Sequence, residues 1–150
     1  MPLSPGADAP SIAATNQHDE RLTLAFEAPT VLYFYPRDDT AGCTTEATEF
    51  DDLIETYREA GVAVYGVSTD DVDSHSDFAA EYDLDFDLLA DPDAKVAEAF
   101  GVPVENGAAK RTTFVLAGGL VRAVYDGVFP EGHAEAVLED LIETGLVDAD

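Results

Sequence analysis

Apolar residues in this chain fall into short blocks whose spacing alternates between that of strands and that of helices. Thr30-Val31-Leu32-Tyr33-Phe34-Tyr35 is a continuous apolar, β-rich run stopped by Pro36, the pattern of a strand covered on both faces. Val62 to Val67 repeats that character. Between them Cys43, Ala47, Phe50, Ile54 and Tyr57 recur at three- and four-residue steps and predict one helix face, with Gly61 placed to end it. Strand, helix and strand form a crossover unit. Such a unit sets its strands parallel with a right-handed connection and puts the first strand-to-helix loop at the carboxyl edge of the sheet. Cys43 is therefore expected at that edge.

The alternation continues. Ser74 with Asp77 predicts a helix start, and Phe78 with Tyr82 supplies an i, i+4 apolar pair. Asp91-Pro92 offers an N-cap followed by proline at the first helical position, Val96 and Phe100 share a face, and Gly101 closes the helix. Thr113 to Ala117 and Leu120 to Tyr125 flank Gly118-Gly119, a two-residue connection able to take the positive φ angles of a hairpin turn. Val137, Leu138, Leu141 and Ile142 mark a last helix. These elements predict an α/β architecture with a mixed sheet, in one domain over residues 1–150.

Charge narrows the partners. Seven Lys and Arg against 32 Asp and Glu give a net charge of −25, which excludes nucleic acid as a partner and disfavours anionic membrane surfaces. No apolar run is long enough to span a bilayer. Before Pro10 there is neither the basic nor the apolar segment of a secretory signal, and Cys43 is the only cysteine, so the expected compartment is the reducing cytoplasm. Self-repulsion at this charge is screened at high ionic strength, which predicts a salt-adapted protein of halophilic type.

The chemistry concentrates in Pro36-Arg37-Asp38-Asp39-Thr40-Ala41-Gly42-Cys43-Thr44-Thr45-Glu46. A lone cysteine is usually a buried small hydrophobe, but one at a helix N-terminus faces unpaired N–H groups and the positive end of the dipole, which favour the thiolate. Deprotonation alone gains only about 30-fold in rate, roughly 2 kcal/mol, so efficient chemistry at such a thiolate also needs donors aimed at the charge that develops on a departing atom.

Pro36, Thr40 and Cys43 in the pattern Pro-x-x-x-Thr-x-x-Cys resemble the peroxiredoxin active-site motif. The wider wording, Tyr33-Phe34-Tyr35-Pro36 and Gly42-Cys43-Thr44-Thr45-Glu46, is similar to the peroxiredoxin Q, or bacterioferritin comigratory protein, subfamily. The likeness extends to Ala9-Pro10, Gly66-Val67-Ser68, Phe86-Asp87-Leu88-Leu89, Asp91-Pro92-Asp93 and Arg111-Thr112-Thr113-Phe114. It implies a thioredoxin-like fold, a central mixed β-sheet flanked by helices on both faces, and a thiol peroxidase that reduces hydrogen peroxide and organic hydroperoxides without metal, haem, flavin or other cofactor. It casts Cys43 as the peroxidatic nucleophile that passes through a sulfenic acid. Thr40 would orient the peroxide, Arg111 would favour the thiolate and donate to the reacting oxygens, and Pro36 would shield the sulfur. Glu46 would hold the arginine in place. A monomer is expected, with a dimer left open.

Many members of that subfamily carry a resolving cysteine five residues after the first, where this chain has Thr48. A one-cysteine mechanism is therefore expected, resolved by an external thiol such as thioredoxin, a glutaredoxin or a small thiol. The alternative is a redox sensor that oxidises reversibly at Cys43 without turnover. Asp70-Asp71-Val72-Asp73 and Asp83-Leu84-Asp85-Phe86-Asp87 lack the glycine and glutamate of a calcium loop and are expected to be solvated faces. His18, His75 and His133 are too dispersed to suggest a metal site.

Overall fold

The computed structural model describes residues 2–145, so the expected domain over 1–150 extends past the described residues at both ends. The continuous apolar run becomes β3 (Thr30–Phe34), buried along its whole length, and Val62 to Val67 falls within β4 (Ala63–Ser68), parallel to it. Between them α1 (Ala41–Asp52) and α2 (Ile54–Glu59) carry the predicted apolar face, but as two helices broken at Leu53 rather than one. The last turn of α1 holds Asp51 and Asp52 and no basic residue, which opposes continuation against the negative end of the helix dipole.

After β4 come α3 (Val72–Tyr82), β5 (Asp87–Ala90) and α4 (Lys95–Phe100). The start of α3 lies earlier than Ser74: Asp71 is the N-cap, and its carboxylate accepts from the Ser74 N–H at 2.9 Å. Asp91 is likewise not the N-cap of α4, which begins at Lys95 after Ala94 in the left-handed region. Its carboxylate still accepts from the N–H groups of Val96 and Ala97, each at 2.9 Å, so the charge serves the helix start from one turn away. A short hairpin, β6 (Val104–Glu105) and β7 (Ala108–Ala109), precedes β8 (Thr112–Ala117), β9 (Leu120–Asp126) and α5 (His133–Glu143). Gly118 and Gly119 make the expected turn between β8 and β9, with φ of 60° and 73°.

The amino-terminal strands β1 (Ile12–Asn16) and β2 (Arg21–Leu24) complete a seven-stranded sheet in the order β2-β1-β5-β4-β3-β8-β9. It is mixed: β3, β4 and β5 run parallel, while β1 and β8 pair antiparallel with their neighbours. Period-two alternation divides the core. Val31, Tyr33, Leu88 and Val115 face α1, α2, α3 and α5; Leu32, Phe34, Leu89 and Phe114 face α4. Helices thus cover both faces, as expected. The Tyr33 ring stacks on Phe50 at 4.7 Å and lies over Gly66, its register partner on β4, where a Cβ would come within 2.8 Å of the ring. Glycine at 66 is what lets the two strands pair beneath that ring.

Candidate active site

β3 ends at the carboxyl edge of the sheet and the chain turns through residues 35–40 into α1. Pro36, half-buried, prevents the strand from continuing in register, and Asp39 takes φ of 58° to reverse the chain. Thr40 is the N-cap residue of α1 with extended backbone, and its carbonyl accepts from the Thr44 N–H at 2.8 Å. Cys43 stands in the first turn, among the helix N–H groups that have no intrahelical acceptor. It is only 1% exposed.

Arg111 reaches this turn from the strand on the other side of β3. β8 pairs antiparallel with β3 so that Thr112 lies opposite Phe34, which brings the preceding residue to the edge where α1 begins. Its guanidinium forks: Nη2 is 3.4 Å from the Cys43 sulfur, and Nη1 donates to Glu46 Oε1 at 2.6 Å. Gly42 leaves room for this approach, since a Cβ there would stand 3.1 Å from Nη2 and 3.3 Å from the Pro130 ring. Glu46 is fully buried, and its Oε2 has no hydrogen-bond partner among the described residues. Burial raises its carboxyl from 4.5 to about 7, against the lowering effect of Arg111. Burial alone would weaken the arginine's hold on its proton, but the charges of Glu46 and Cys43 more than offset this and raise Arg111 further.

The structure therefore brings Cys43, Arg111 and Glu46 together. Thr40 flanks them one helical turn away but is exposed, and its hydroxyl donates to the Arg37 carbonyl at 3.0 Å rather than to the sulfur. Pro36 lies at the same edge. Two histidines add to the surroundings, although their dispersal in the sequence hid both. His133 is buried 2.8 Å from the Thr113 hydroxyl; burial, with the charge of Arg111, lowers it from 6.5 to about 4, so it is neutral near pH 7. His75 is buried against Asp38 in the loop before Thr40.

The expectation that residues 70–73 and 83–87 form solvated faces holds only in part. Asp70 is half-buried and accepts from the Asp38 N–H and the Ser68 hydroxyl, each at 2.7 Å, because the loop after β4 turns inward there. Asp87 is half-buried beside Asn16, while Asp85 is exposed and pairs with Arg58 at 3.0 Å. Among the described residues, Asp38, Asp70 and His75 are the one group whose potential ligand atoms lie close together. Those atoms are engaged in hydrogen bonds to one another and to neighbouring groups.

A buried cysteine in the first turn of a helix over a thioredoxin-like sheet, with an arginine on its sulfur, defines a class of thiol enzymes. The AhpC/TSA family pattern matches residues 5–124. The chloroplastic peroxiredoxin Q of Oryza sativa subsp. japonica is 39% identical over 145 residues, which cover 93% of this chain and 67% of the relative. The crystal structure of peroxidoxin BcpB from Mycobacterium tuberculosis superposes with a TM-score of 0.87 at 32% identity, covering 94% of this chain and 97% of that one. A bacterioferritin comigratory protein of Xanthomonas campestris, studied for its alkyl peroxide reduction, gives a TM-score of 0.83 at 33% identity over 89% of this chain and 91% of that one. The chain belongs to the AhpC/TSA family and, within it, to the peroxiredoxin Q and bacterioferritin comigratory protein subfamily; it is a thiol peroxidase.

Proposed function

We propose that the chain reduces hydrogen peroxide and organic hydroperoxides by a one-cysteine cycle at Cys43. The Cys43 thiolate attacks one peroxide oxygen; the S–O bond forms, the O–O bond breaks, and the departing oxygen takes a proton to leave as water or an alcohol. An external thiol then attacks the sulfenic acid, forming a mixed disulfide and releasing water, and a second thiol exchanges with that disulfide to restore Cys43. The observation that carries this reading is the guanidinium fork. One arm of Arg111 lies on the sulfur and the other is fixed by a buried carboxylate, so a charged donor is oriented before the peroxide arrives. In this reading Glu46 is a positioning residue. Thr40, freed from the Arg37 carbonyl by a small rotation, accepts and donates at the peroxide, and Pro36 shields the sulfur from water. The alkyl peroxide reduction of the Xanthomonas relative supports the substrate class. The absence of any cysteine but Cys43 supports external resolution and a reducing compartment such as the cytoplasm.

Steady-state peroxide consumption with thioredoxin, glutaredoxin and small thiols tests the cycle. Cys43→Ser is expected to abolish it, and Arg111→Ala or Thr40→Val to slow it by a factor of order 10². Mass spectrometry after one equivalent of peroxide should show an increase of one oxygen that a sulfenic-acid trap captures and an added thiol converts to a mixed disulfide. A captured sulfenic acid without turnover under any of these thiols would favour the sensor reading over the enzyme.

A further inference from the structure

After Cys43, the side chains here that give up an electron most readily are the six tyrosines, since the chain has no tryptophan and a single methionine. Three of the six lie on one line of neighbouring rings. Tyr33 is buried in the same cluster as Cys43, and its ring centroid is 5.5 Å from that of Tyr35. Tyr35 is 6.5 Å from Phe78, and Phe78 is 5.3 Å from Tyr82, whose hydroxyl makes an exposed hydrogen bond. The line therefore runs from the core beside the reactive sulfur to the surface.

Packing accounts for the rings but not for what their hydroxyls face. Oxidation of a tyrosine at neutral pH expels the phenolic proton, so a tyrosine holds a radical only where a base stands at its oxygen. Tyr33 has none: its hydroxyl lacks a hydrogen-bond partner among the described residues, and burial, with the charges of Glu46 and Cys43, keeps its phenol well above the ordinary 10. Tyr35 donates to Asp38 Oδ1 at 2.6 Å. The Ser74 hydroxyl and His75 Nδ1 hold the other oxygen, each at 2.7 Å, which aims the first at the phenol. Tyr82 donates to Asp39 at 3.1 Å. Two tyrosines with their own proton acceptors thus flank Phe78, one at the buried end and one at the exposed end. A radical on Cys43 needs such an outlet. With no second cysteine in the chain, a thiyl radical has no neighbouring thiolate to close upon, and in air it is carried to the irreversible end of the sulfur oxidation ladder.

We infer that Tyr35 and Tyr82 form a relay that carries a one-electron oxidation from Cys43 to the protein surface when the oxidant is a peroxyl radical, the one-electron relative of an organic hydroperoxide. The inference rests on the hydroperoxide reading only for the identity of that oxidant. The peroxyl radical takes an electron from the Cys43 thiolate and a proton from water, leaving a hydroperoxide and a thiyl radical. The thiyl takes an electron from Tyr35 across the Tyr33 ring and returns to thiolate, while the Tyr35 proton passes to Asp38. Tyr82 then gives its electron through Phe78 and its proton to Asp39, and Tyr35 recovers its proton from Asp38. At the surface the Tyr82 radical takes a hydrogen atom from an external thiol, and Asp39 releases its proton to water. The sum is one peroxyl radical and one thiol converted to one hydroperoxide and one external thiyl radical, with the Cys43 thiolate restored.

Photolysis of the full chain S-nitrosated at Cys43 places the radical without any peroxide, because light splits the S–N bond into nitric oxide and the thiyl. With a nitroso spin trap and peptide mass spectrometry, the trapped adduct is expected on Tyr82. Tyr35→Phe should lower that adduct about tenfold, the factor carried by one hydrogen bond to a charged group. Tyr82→Phe should remove it and leave a longer-lived tyrosyl signal in electron paramagnetic resonance. Both variants should consume peroxide at the wild-type rate, yet lose Cys43 to sulfonic acid faster than wild type when an azo initiator supplies peroxyl radicals. An unchanged Tyr82 adduct in folded Tyr35→Phe overturns the relay, as does an adduct on Tyr125, which Phe50 and His133 reach by a different line of rings at 6.0 and 5.4 Å. Should Tyr35→Phe fail to fold, a tyrosyl signal of the same lifetime in wild type and Tyr82→Phe overturns it equally. A relay seen in a protein that does not consume hydroperoxides would stand and would refute the peroxidase cycle instead.

Discussion

Acidification acts in opposite directions on two buried groups that share Arg111. For Glu46, raised from 4.5 to about 7, the folded state binds a proton over a range in which the unfolded chain does not. Its contribution to stability therefore grows as pH falls from 7 to 4.5 and is lost as pH rises through 7. For His133, lowered from 6.5 to about 4, the unfolded chain binds the proton first, so stability is present above 6.5 and lost as pH falls toward 4. At 1.36 kcal/mol for each tenfold change in proton affinity, either displacement is worth about 3 kcal/mol. That is a large part of the 5–15 kcal/mol that holds a typical domain folded. In the wild type the two nearly cancel. Glu46→Gln removes only the first, so between about pH 7.5 and pH 4 it should lose about 3 kcal/mol relative to wild type. His133→Gln, which keeps a donor toward Thr113, should gain a similar amount over the same range. Urea unfolding in about 1 M KCl, where surface carboxylates are screened to a Debye length near 3 Å, isolates the buried pair. Parallel pH profiles for the three proteins would refute the reasoning.

Other substitutions test the packing around the site. Gly66→Ala places a methyl within 2.8 Å of the Tyr33 ring and 3.0 Å of Leu88, and should cost about 1–3 kcal/mol by overpacking, read as a lower urea midpoint. Gly42→Ala meets no backbone strain and gains up to about 1 kcal/mol in helix propensity, yet its methyl presses on Arg111 Nη2. It should leave the melting temperature unchanged or higher while slowing peroxide reduction about tenfold; a wild-type rate would show that the arginine need not sit where it does. We also propose that the −25 surface is salt-adapted. Thermal midpoints should then rise steadily across a KCl series to molar concentrations, and a flat series would remove the proposal.

The parts of the fold legible in the sequence were those with large apolar side chains at regular spacing. The β3, α1 and β4 crossover, the Gly118-Gly119 hairpin and the last helix all have this character. β1 and β2 were missed because Ile12-Ala13-Ala14-Thr15-Asn16 and Arg21-Leu22-Thr23-Leu24 are short, and each offers only one or two large apolar residues, Ile12 in the first and Leu22 and Leu24 in the second. The break at Leu53 was invisible because Ile54 and Tyr57 keep the periodicity of the face across it. Of the site, Cys43 and Arg111 could be found from short motifs, and Glu46 from its place one turn beyond the cysteine. His75 and His133 could not. Each is one polar residue among several in its helix, and its meaning depends on partners 37 and 20 positions away that only the tertiary fold brings near.

The placement of positive charge ties these observations together. With seven Lys and Arg against 32 acidic residues, cations are scarce, and pairs such as Lys110 with Asp126 or Arg58 with Asp85 lie half-exposed, where each contributes little. Arg111 is different, because its counter-charge is internal and its second arm is on the sulfur. A guanidinium fully neutralised by a carboxylate would offer the sulfur little field. Here burial pushes that carboxylate up to about 7, so near neutral pH Glu46 is poised to take a proton while still holding Nη1 through one oxygen. In the cycle we propose, the arginine would then keep its position and turn an undivided charge toward the sulfur and the departing oxygen. On that proposal the residue that orients the cation would also set how much of its charge the reaction sees, and a peroxide-reduction rate for Glu46→Gln with the same pH dependence as wild type would refute it.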